Sequence, residues 1–184
     1  MRRLSPFAVI WLLAVSACSP SGSTGTSTTT RKEPPPPCHP GCFPAGMAIA
    51  TPEGPRPIES IRRGDLVTLI SQDGTPTSGM VDSTYHTCNQ LLEIRTEDST
   101  LRTTPTQPLC LCDGRFRPAG ELTAGDRIWR WEGNERRPAP VVAVVPTDAE
   151  ADVFNLVVGE SAVFVAGGYL ARGKPPPVAN NEAE

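Results

Sequence analysis

Cys42 is the residue whose type and position suggest a reaction within the chain itself. It opens residues 42–46, which read Cys-Phe-Pro-Ala-Gly, and Gly41 before it has no side chain to obstruct attack. The thiol lies close to its own amide, so a five-membered cyclic intermediate can convert the Gly41–Cys42 peptide bond into a thioester. This rearrangement is uphill in an unstrained peptide. It needs a fold that distorts the amide, donates hydrogen bonds to the oxyanion and protonates the leaving nitrogen.

Histidines that could move protons for Cys42 are scarce. The chain has 2 of them, His39 and His86. His86 falls in a strand-like segment, where a surface or strand-filling histidine is the common case. His39 is the somewhat better candidate, because it lies close to Cys42 in a segment that we expect to be flexible.

The remaining cysteines raise the question of disulfides. The chain has 6 cysteines, and those that follow Cys18 are Cys38, Cys42, Cys88, Cys110 and Cys112. Outside the cytoplasm thiols tend to pair, and an odd count leaves one free. If Cys42 is the free one, the other four permit three connectivities, among which the sequence does not choose. A metal site is the alternative, but the Cys and His spacings match no common zinc pattern, so we expect disulfides and neither metal nor cofactor.

Two segments of the chain repeat one pattern. Residues 57–67 and 118–128 share, at a single offset, a proline, a branched apolar residue, Gly-Asp and a following β-branched residue. Self-similarity of this kind predicts two related halves.

The elements that must position Cys42 are predicted to be short strands bounded by Gly, Pro or Asp. The expected strands are residues 47–51, 66–71, 79–85, 91–96, 101–104, 126–131, 141–145, 153–157 and 162–166. Residues 58–62 and 119–122 are each expected to form one helical turn, and no segment has the period of a long amphipathic helix. The sequence therefore predicts an all-β, curved, barrel-like domain.

The ends of the chain differ in composition from its middle. Residues 1–17 resemble a lipoprotein signal peptide, and the Val-Ser-Ala-Cys that ends at Cys18 resembles a bacterial lipobox. An ordinary secretory signal is the alternative. We expect lipid on Cys18, a flexible tether over 18–41, a folded domain over 42–174 and a disordered tail over 175–184. Ser19 after the lipidated cysteine favours the bacterial outer membrane within the cell envelope.

Net charge limits the classes of partner. The formal charge is −3 at pH 7, and the mixed signs leave no basic stripe. Nucleic acid is therefore not an expected partner. The membrane is the expected partner, through the lipid on Cys18, and the sequence identifies no protein partner.

Residues 42–174 resemble the Hint domains shared by hedgehog autoprocessing proteins, inteins and bacterial intein-like proteins. The motifs that carry the resemblance occur in the family order at residues 42–47, 57–59, 64–65, 104–108, 119–126, 154–158 and 164–165. The resemblance implies an all-β, pseudo-twofold horseshoe whose two ends lie close together. It also implies that Cys42 is the nucleophile, that Gly41 supplies the scissile carbonyl and that Thr104 matches the family threonine.

Two departures from the family pattern predict impaired chemistry. Gln107 stands where the family has a catalytic histidine, and an amide cannot transfer protons near neutral pH. The family's terminal His-Asn is replaced by Arg172-Gly173, so full splicing is not expected. Glu160 occupies the block where the family often has another catalytic residue, but we expect it to be solvated.

Two functions remain open at this stage. The first is a single-turnover self-cleavage at the Gly41–Cys42 bond, which would free the domain from its lipid-bearing tether. The second is a catalytically degenerate Hint fold that serves as a surface binding or scaffold module, in which Cys42 pairs with Cys38. A disulfide at Cys42 is incompatible with nucleophilic attack, so the two functions differ in the state of this thiol.

Overall fold

Short β-strands make up almost all the regular structure of the protein in a computed structural model that describes residues 41–160 and 162–176. The strands are β1 (Phe43–Pro44), β2 (Ala48–Ile49), β3 (Arg56–Pro57), β4 (Leu66–Ile70), β5 (Pro76–Met80), β6 (Ser83–Thr96), β7 (Thr100–Thr103), β8 (Pro108–Cys110), β9 (Phe116–Pro118), β10 (Arg127–Glu132), β11 (Glu135–Val157), β12 (Val163–Ala166) and β13 (Tyr169–Arg172). Two single-turn 3-10 helices, Ile58–Ser60 and Ala119–Glu121, complete the elements. The all-β prediction and both helical turns are confirmed.

Several sequence-based expectations lie outside the described residues. They are the signal peptide over 1–17, lipidation at Cys18, the tether as far as residue 40, which contains Cys38 and His39, and the tail from residue 177 onward. In the part of the chain that is described, no helix has both the length and the apolar character needed to cross a bilayer.

The long strands were predicted only in pieces. Segments 79–85 and 91–96 were expected to be separate, but β6 contains residues 83–85 of the first and all of the second, and residues 79–80 belong to β5. Likewise, 141–145 and 153–157 both lie in β11, whose ladder with β6 is interrupted by irregular register between Pro146 and Glu150. Such irregularities let one strand continue through a stretch rich in turn residues.

The strands form one hydrogen-bonded sheet whose main path runs β3-β2-β12-β13-β10-β11-β6-β7. β1 pairs antiparallel with β11, with Phe43 opposite Phe154. Phe43 is fully buried, and its ring meets that of Phe164 edge-on at a centroid distance of 6.2 Å. Burial of one such side chain is worth about 1.5–3 kcal/mol, so β1 is held firmly by the residue that follows Cys42.

The internal repeat predicted from the sequence has matching backbone geometry in its two copies. In the first copy the Gly64 amide donates to Val81 O (2.8 Å) and the Val81 amide donates to Asp65 O (2.9 Å). In the second copy the Gly125 amide donates to Val141 O (2.9 Å) and the Val141 amide donates to Asp126 O (2.8 Å). The two halves are thus built on the same frame.

The disulfides expected for an extracytoplasmic protein are not found among the described cysteines. Cys42, Cys88, Cys110 and Cys112 are all free thiols, and only Cys88 is exposed. In particular, the buried Cys42 carries no disulfide.

Candidate active site

The peptide bond between Gly41 and Cys42 is held on its cysteine side by the strand end at residues 103–104. The Cys42 amide donates to Thr104 Oγ1 at 2.8 Å, and the Thr104 amide donates to Cys42 O at 3.0 Å. Cys42 O also accepts a bond from Thr103 Oγ1 at 2.8 Å. The fold therefore places the predicted Thr104 hydroxyl on the nitrogen that would leave if the bond were cut.

The carbonyl of Gly41 has its own donor, which sequence reasoning did not identify. Asn155 Nδ2 donates to Gly41 O at 2.6 Å. Asn155 Oδ1 accepts from the Leu156 amide at 2.6 Å, which fixes the orientation of the carboxamide. Asn155 is fully buried. A buried, oriented donor on a carbonyl oxygen is the arrangement that stabilises negative charge when that carbonyl is attacked.

Gln107 connects this carbonyl donor to the other end of the domain. Its Oε1 accepts from Asn155 Nδ2 at 3.2 Å, and its Nε2 donates to Pro108 O at 3.1 Å and to Arg172 O at 3.0 Å. The side chain is fully buried. Gln107 lies beside the Gly41–Cys42 bond, and its contacts orient the Asn155 side chain.

Gly41 fits against Gln107 only because it lacks a side chain. Its φ is +34°, and a Cβ at this position would lie 2.0 Å from Gln107 Cα. No side chain can be accommodated at that distance without displacing the backbone. The sequence suggested that glycine at this position leaves the peptide bond open to attack. Close packing against Gln107 is a second reason why the position requires glycine.

The Cys42 thiol lies in a small apolar cluster. Cys42 is 3% exposed and packs with Leu91 and Val153, and Tyr85 and Ala151 cover the cluster. Burial raises the pKa of the thiol to about 11, and the nearby charge of Lys174 acts in the opposite direction. The thiol is therefore protonated at neutral pH and must lose a proton before or during attack.

Lys174 is a second site residue that sequence reasoning missed. The residue is only 5% exposed, and its Nζ has no hydrogen-bond partner among the described residues. Nζ lies 3.6 Å from the centroid of the Tyr85 ring, and Tyr85 also packs against the cluster that contains Cys42. Burial lowers the pKa of Lys174, while its interaction with Cys42 raises it.

The other predicted candidates lie away from this arrangement. His86 is on the surface, where its ring stacks on Phe154 at 4.6 Å and its Nε2 is 3.1 Å from Asp152 Oδ1. The strand-filling interpretation of this histidine is therefore the better one. Glu160 is exposed in the turn after β11, as expected. Within the described residues no cluster of His, Cys, Asp or Glu could hold a metal ion.

Two sequence signals could have identified the missed residues. Asn155 is a polar residue in the otherwise apolar run at the end of β11, and buried polar residues in such runs must be hydrogen-bonded. Lys174 is the sole lysine after Lys32, and the other permanently charged cations in that part of the chain are arginines. Lysine shifts its pKa readily on burial whereas arginine remains charged, so one isolated lysine in such a chain indicates a special environment.

Comparison with known proteins gives a consistent result. A family model described as the Hint domain matches residues 41–137. The DnaB intein from Synechocystis sp. PCC 6803 superposes with a TM-score of 0.65 and 17% identity, over 73% of this chain and 99% of the intein. The bacterial intein-like domain from Clostridium thermocellum gives 0.61 and 24%, over 72% and 97%. The Ssp DnaB mini-intein variant M86 gives 0.66 and 17%, over 74% and 95%. These structural similarities support the same fold.

Proposed function

The chain belongs to the Hint domain family, and from that premise we propose that it is a self-processing protein that converts its Gly41–Cys42 peptide bond into a thioester. The observation that carries this proposal is the 2.6 Å bond from Asn155 Nδ2 to Gly41 O. A buried donor on that oxygen has an obvious chemical use if the carbonyl becomes an oxyanion, and one such donor is worth about a hundred- to a thousandfold in rate.

The proposed reaction is an N-to-S acyl shift. Cys42 Sγ attacks the Gly41 carbonyl carbon and forms a C–S bond, and the oxygen becomes an oxyanion held by Asn155. Collapse of this intermediate breaks the C–N bond. The leaving nitrogen takes the proton that the thiol gives up, and the Thr104 hydroxyl, 2.8 Å from that nitrogen, is placed to pass it on. The product is a thioester with a free amine on Cys42.

The rate of the shift is expected to be low. Gln107 offers no imidazole, and general acid-base help is worth about a hundred- to ten-thousandfold. The raised pKa of Cys42 further reduces the thiolate fraction at neutral pH. We therefore propose a slow, single-turnover reaction and no complete splicing.

The proposed location gives the reaction a consequence. Residues 1–17 and Cys18 resemble a lipoprotein signal and lipobox, and we propose that lipid on Cys18 anchors the chain at the outer membrane of the bacterial cell envelope. Hydrolysis of the thioester would then separate the domain from its anchor. Intact mass and membrane fractionation of the mature protein test the anchor, and a soluble protein without lipid would contradict it.

Trapping of the thioester tests the reaction itself. The full chain is incubated with hydroxylamine, which cleaves thioesters, and the fragments are identified by mass. The wild type and Cys88→Ala, which loses an exposed thiol, should both release a fragment that ends at Gly41, and Cys42→Ala should release none. The proposal is wrong if the wild type yields neither this fragment nor any product in which the Gly41 acyl group has been transferred to another nucleophile.

A second candidate function is a non-catalytic binding or scaffold module. The specific observation in its favour is the pKa of Cys42, about 11, which keeps the thiol protonated at physiological pH. Under this alternative, hydroxylamine leaves the wild type intact and Cys42→Ala changes neither its mass nor its membrane attachment.

A further inference from the structure

Lys174 carries a nucleophilic group that the acyl shift alone does not use. A buried polar group without a hydrogen-bond partner is destabilising, and more so when charged, so its retention calls for a reason. The sequence contains two lysines, Lys32 and Lys174, and the second is 5% exposed. Its Nζ is the buried side-chain nitrogen without a hydrogen-bond partner in the described part of the chain.

The backbone of Lys174 lies beside the strand that holds the scissile bond. The Lys174 amide donates to Leu156 O at 2.9 Å, and Lys174 pairs in parallel with Val157. Leu156 directly follows Asn155, whose side chain binds Gly41 O. The two ends of the domain therefore meet along one short stretch of β11.

The Lys174 amine is linked to the surroundings of the thiol through Tyr85. Its Nζ lies over the Tyr85 ring, and Tyr85 is opposite Asn155 in the β6–β11 ladder. The same tyrosine packs against the cluster that contains Cys42. One aromatic ring thus contacts both the amine and the surroundings of the thiol.

We propose that Lys174 Nζ is the acceptor that resolves the Cys42 thioester, so that the chain ending at Gly41 is transferred onto the lysine side chain as an isopeptide. This inference rests on the proposed function, because it needs the thioester. Its substrate is the acyl group of Gly41, and its product is a branched chain.

The bonds balance without another reactant. The neutral Nζ attacks the thioester carbonyl and forms a C–N bond, and the C–S bond breaks. The proton released by nitrogen goes to the thiolate, which regenerates the Cys42 thiol. Over both steps one amide is lost and one amide is formed, while Cys42 gains a free amine, so the total mass of the chain is unchanged.

The environment favours the amine as a nucleophile. Burial lowers the pKa of Lys174, and Cys42 opposes the shift. A larger neutral fraction follows, which is how a desolvated lysine is activated. Conversion of a thioester into an amide is also downhill, so this step would draw the unfavourable acyl shift forward.

The branch would keep the domain attached to its upstream segment. Hydrolysis separates the domain from everything before Cys42, whereas transfer to Lys174 moves the attachment point from one end of the domain to the other. The protein would then expose a new amino terminus at Cys42 without being released.

Peptide mapping of the full chain tests the inference. After denaturation and alkylation, trypsin cuts after Lys32 and Arg172, so an isopeptide appears as residues 33–41 joined to Lys174 within residues 173–184. The wild type and Lys32→Arg, the matched control, should give this branched peptide. Lys174→Arg and Cys42→Ala should lose it completely, and Lys174→Arg should instead give a Gly41 hydroxamate with hydroxylamine.

The outcomes separate this inference from the proposed function. Hydroxylamine cleavage at Gly41 without any branched peptide from the wild type would overturn the transfer and leave the acyl shift standing. A linear 33–41 peptide with a free carboxylate, in the absence of the branch, would show hydrolysis and would also overturn the transfer. Neither product from any variant would overturn both. The wild-type branched peptide is itself decisive, so the test does not depend on the folding of Lys174→Arg.

Discussion

The two halves of the domain have the same backbone frame but hold different parts of the site. The first 3-10 helix holds the turn that follows Cys42, since the Ile58 amide donates to Met47 O and Glu59 Oε2 accepts from the Gly46 amide. The second 3-10 helix holds the loop that contains Thr104 and Gln107. There the Ala119 amide donates to Gln107 O and the Gly120 amide donates to Pro105 O, each at 2.8 Å.

The halves differ at one equivalent position in a way that explains their separate tasks. Glu59 in the first half corresponds to Gly120 in the second. The glutamate reaches outward to anchor an exposed turn, while the glycine lets the Pro105 loop approach closely. The duplicated frame therefore fixes where the loops go, and the residues that are not duplicated decide what chemistry is possible there.

Replacement of Asn155 should have the largest effect on the rate of the acyl shift. It tests whether the contacts held by the two repeated segments are sufficient for the reaction, because Asn155 lies outside both. Asn155→Ala removes the donor to Gly41 O and should slow thioester formation about a hundred- to a thousandfold. The rate of hydroxylamine-dependent cleavage measures this. Asn89→Ala, elsewhere on the β6–β11 ribbon, should leave it unchanged. An Asn155→Ala variant that reacts at the wild-type rate would mean that the contacts held by the two repeated segments are sufficient without the donor from β11.

Replacement of each residue of the equivalent pair, Glu59 and Gly120, by alanine should sharpen the comparison of the two halves. In Gly120→Ala the new Cβ would lie 3.1 Å from Pro105 Cβ. Overpacking of this kind costs about 1–3 kcal/mol, and it should also displace the Gln107 loop. Urea unfolding is expected to show a larger loss of stability for Gly120→Ala than for Glu59→Ala, because Glu59 is only partly buried and its bond to the Gly46 amide lies at the exposed surface. The reverse order would contradict the division of tasks.

The Gly-Asp aspartates should differ in their contribution to stability. Asp126 accepts from Arg117 Nη1 at 2.7 Å and from Thr123 through both its amide (2.7 Å) and its hydroxyl (3.0 Å). Asp65 accepts from the Arg62 amide at 2.8 Å and pairs with Arg56 at 3.2 Å. We expect Asp126→Asn to lower the free energy of unfolding by about 1–3 kcal/mol and Asp65→Asn by less. Equal losses in urea unfolding would show that the second copy has no tighter network.

The smallest expected effect is the change with pH in the stability that Asp126 contributes. The amide of Thr123, then its hydroxyl and Arg117, hold the pKa of Asp126 below its ordinary value. A depressed pKa in the folded state adds stability at pH above the ordinary value of about 3.9 and loses it as the pH falls through the folded value. The difference in Tm between the wild type and Asp126→Asn should therefore shrink below about pH 4. A difference that stays constant with pH would mean that ionisation of Asp126 does not contribute.

The sequence predicted the frame of this protein better than the contacts within its site. The repeat of Pro, Gly-Asp and β-branched residues was sufficient to place both 3-10 helices, because those features are local. The sequence missed five strands because they are only two to four residues long and gain their order from pairing with other strands, namely β1, β3, β8, β9 and β13. β11 was divided because Pro138, Pro140 and Pro146 are turn signals when considered locally.

Among the site residues, those identified by a local motif could be predicted and those defined by distant contacts could not. Cys42 and Thr104 belong to short motifs, and the fold brings them together as expected. Gln107 was interpreted only as an absent histidine, since its bond to Arg172 O spans 65 positions in the sequence. Lys174 follows the last strand, and nothing local shows that its amine is buried over Tyr85.

The bridging position of Gln107 also makes it a natural spectroscopic probe. Its carboxamide is sealed from solvent and bonded to Asn155 and Arg172 at once, so its two side-chain protons should exchange slowly and resonate apart from those of surface amides. Asn155 in turn binds the oxygen of the bond under attack. A single pair of nuclear magnetic resonance signals would therefore record, in real time and without any label at the reacting atoms, when the junction of the two chain ends rearranges.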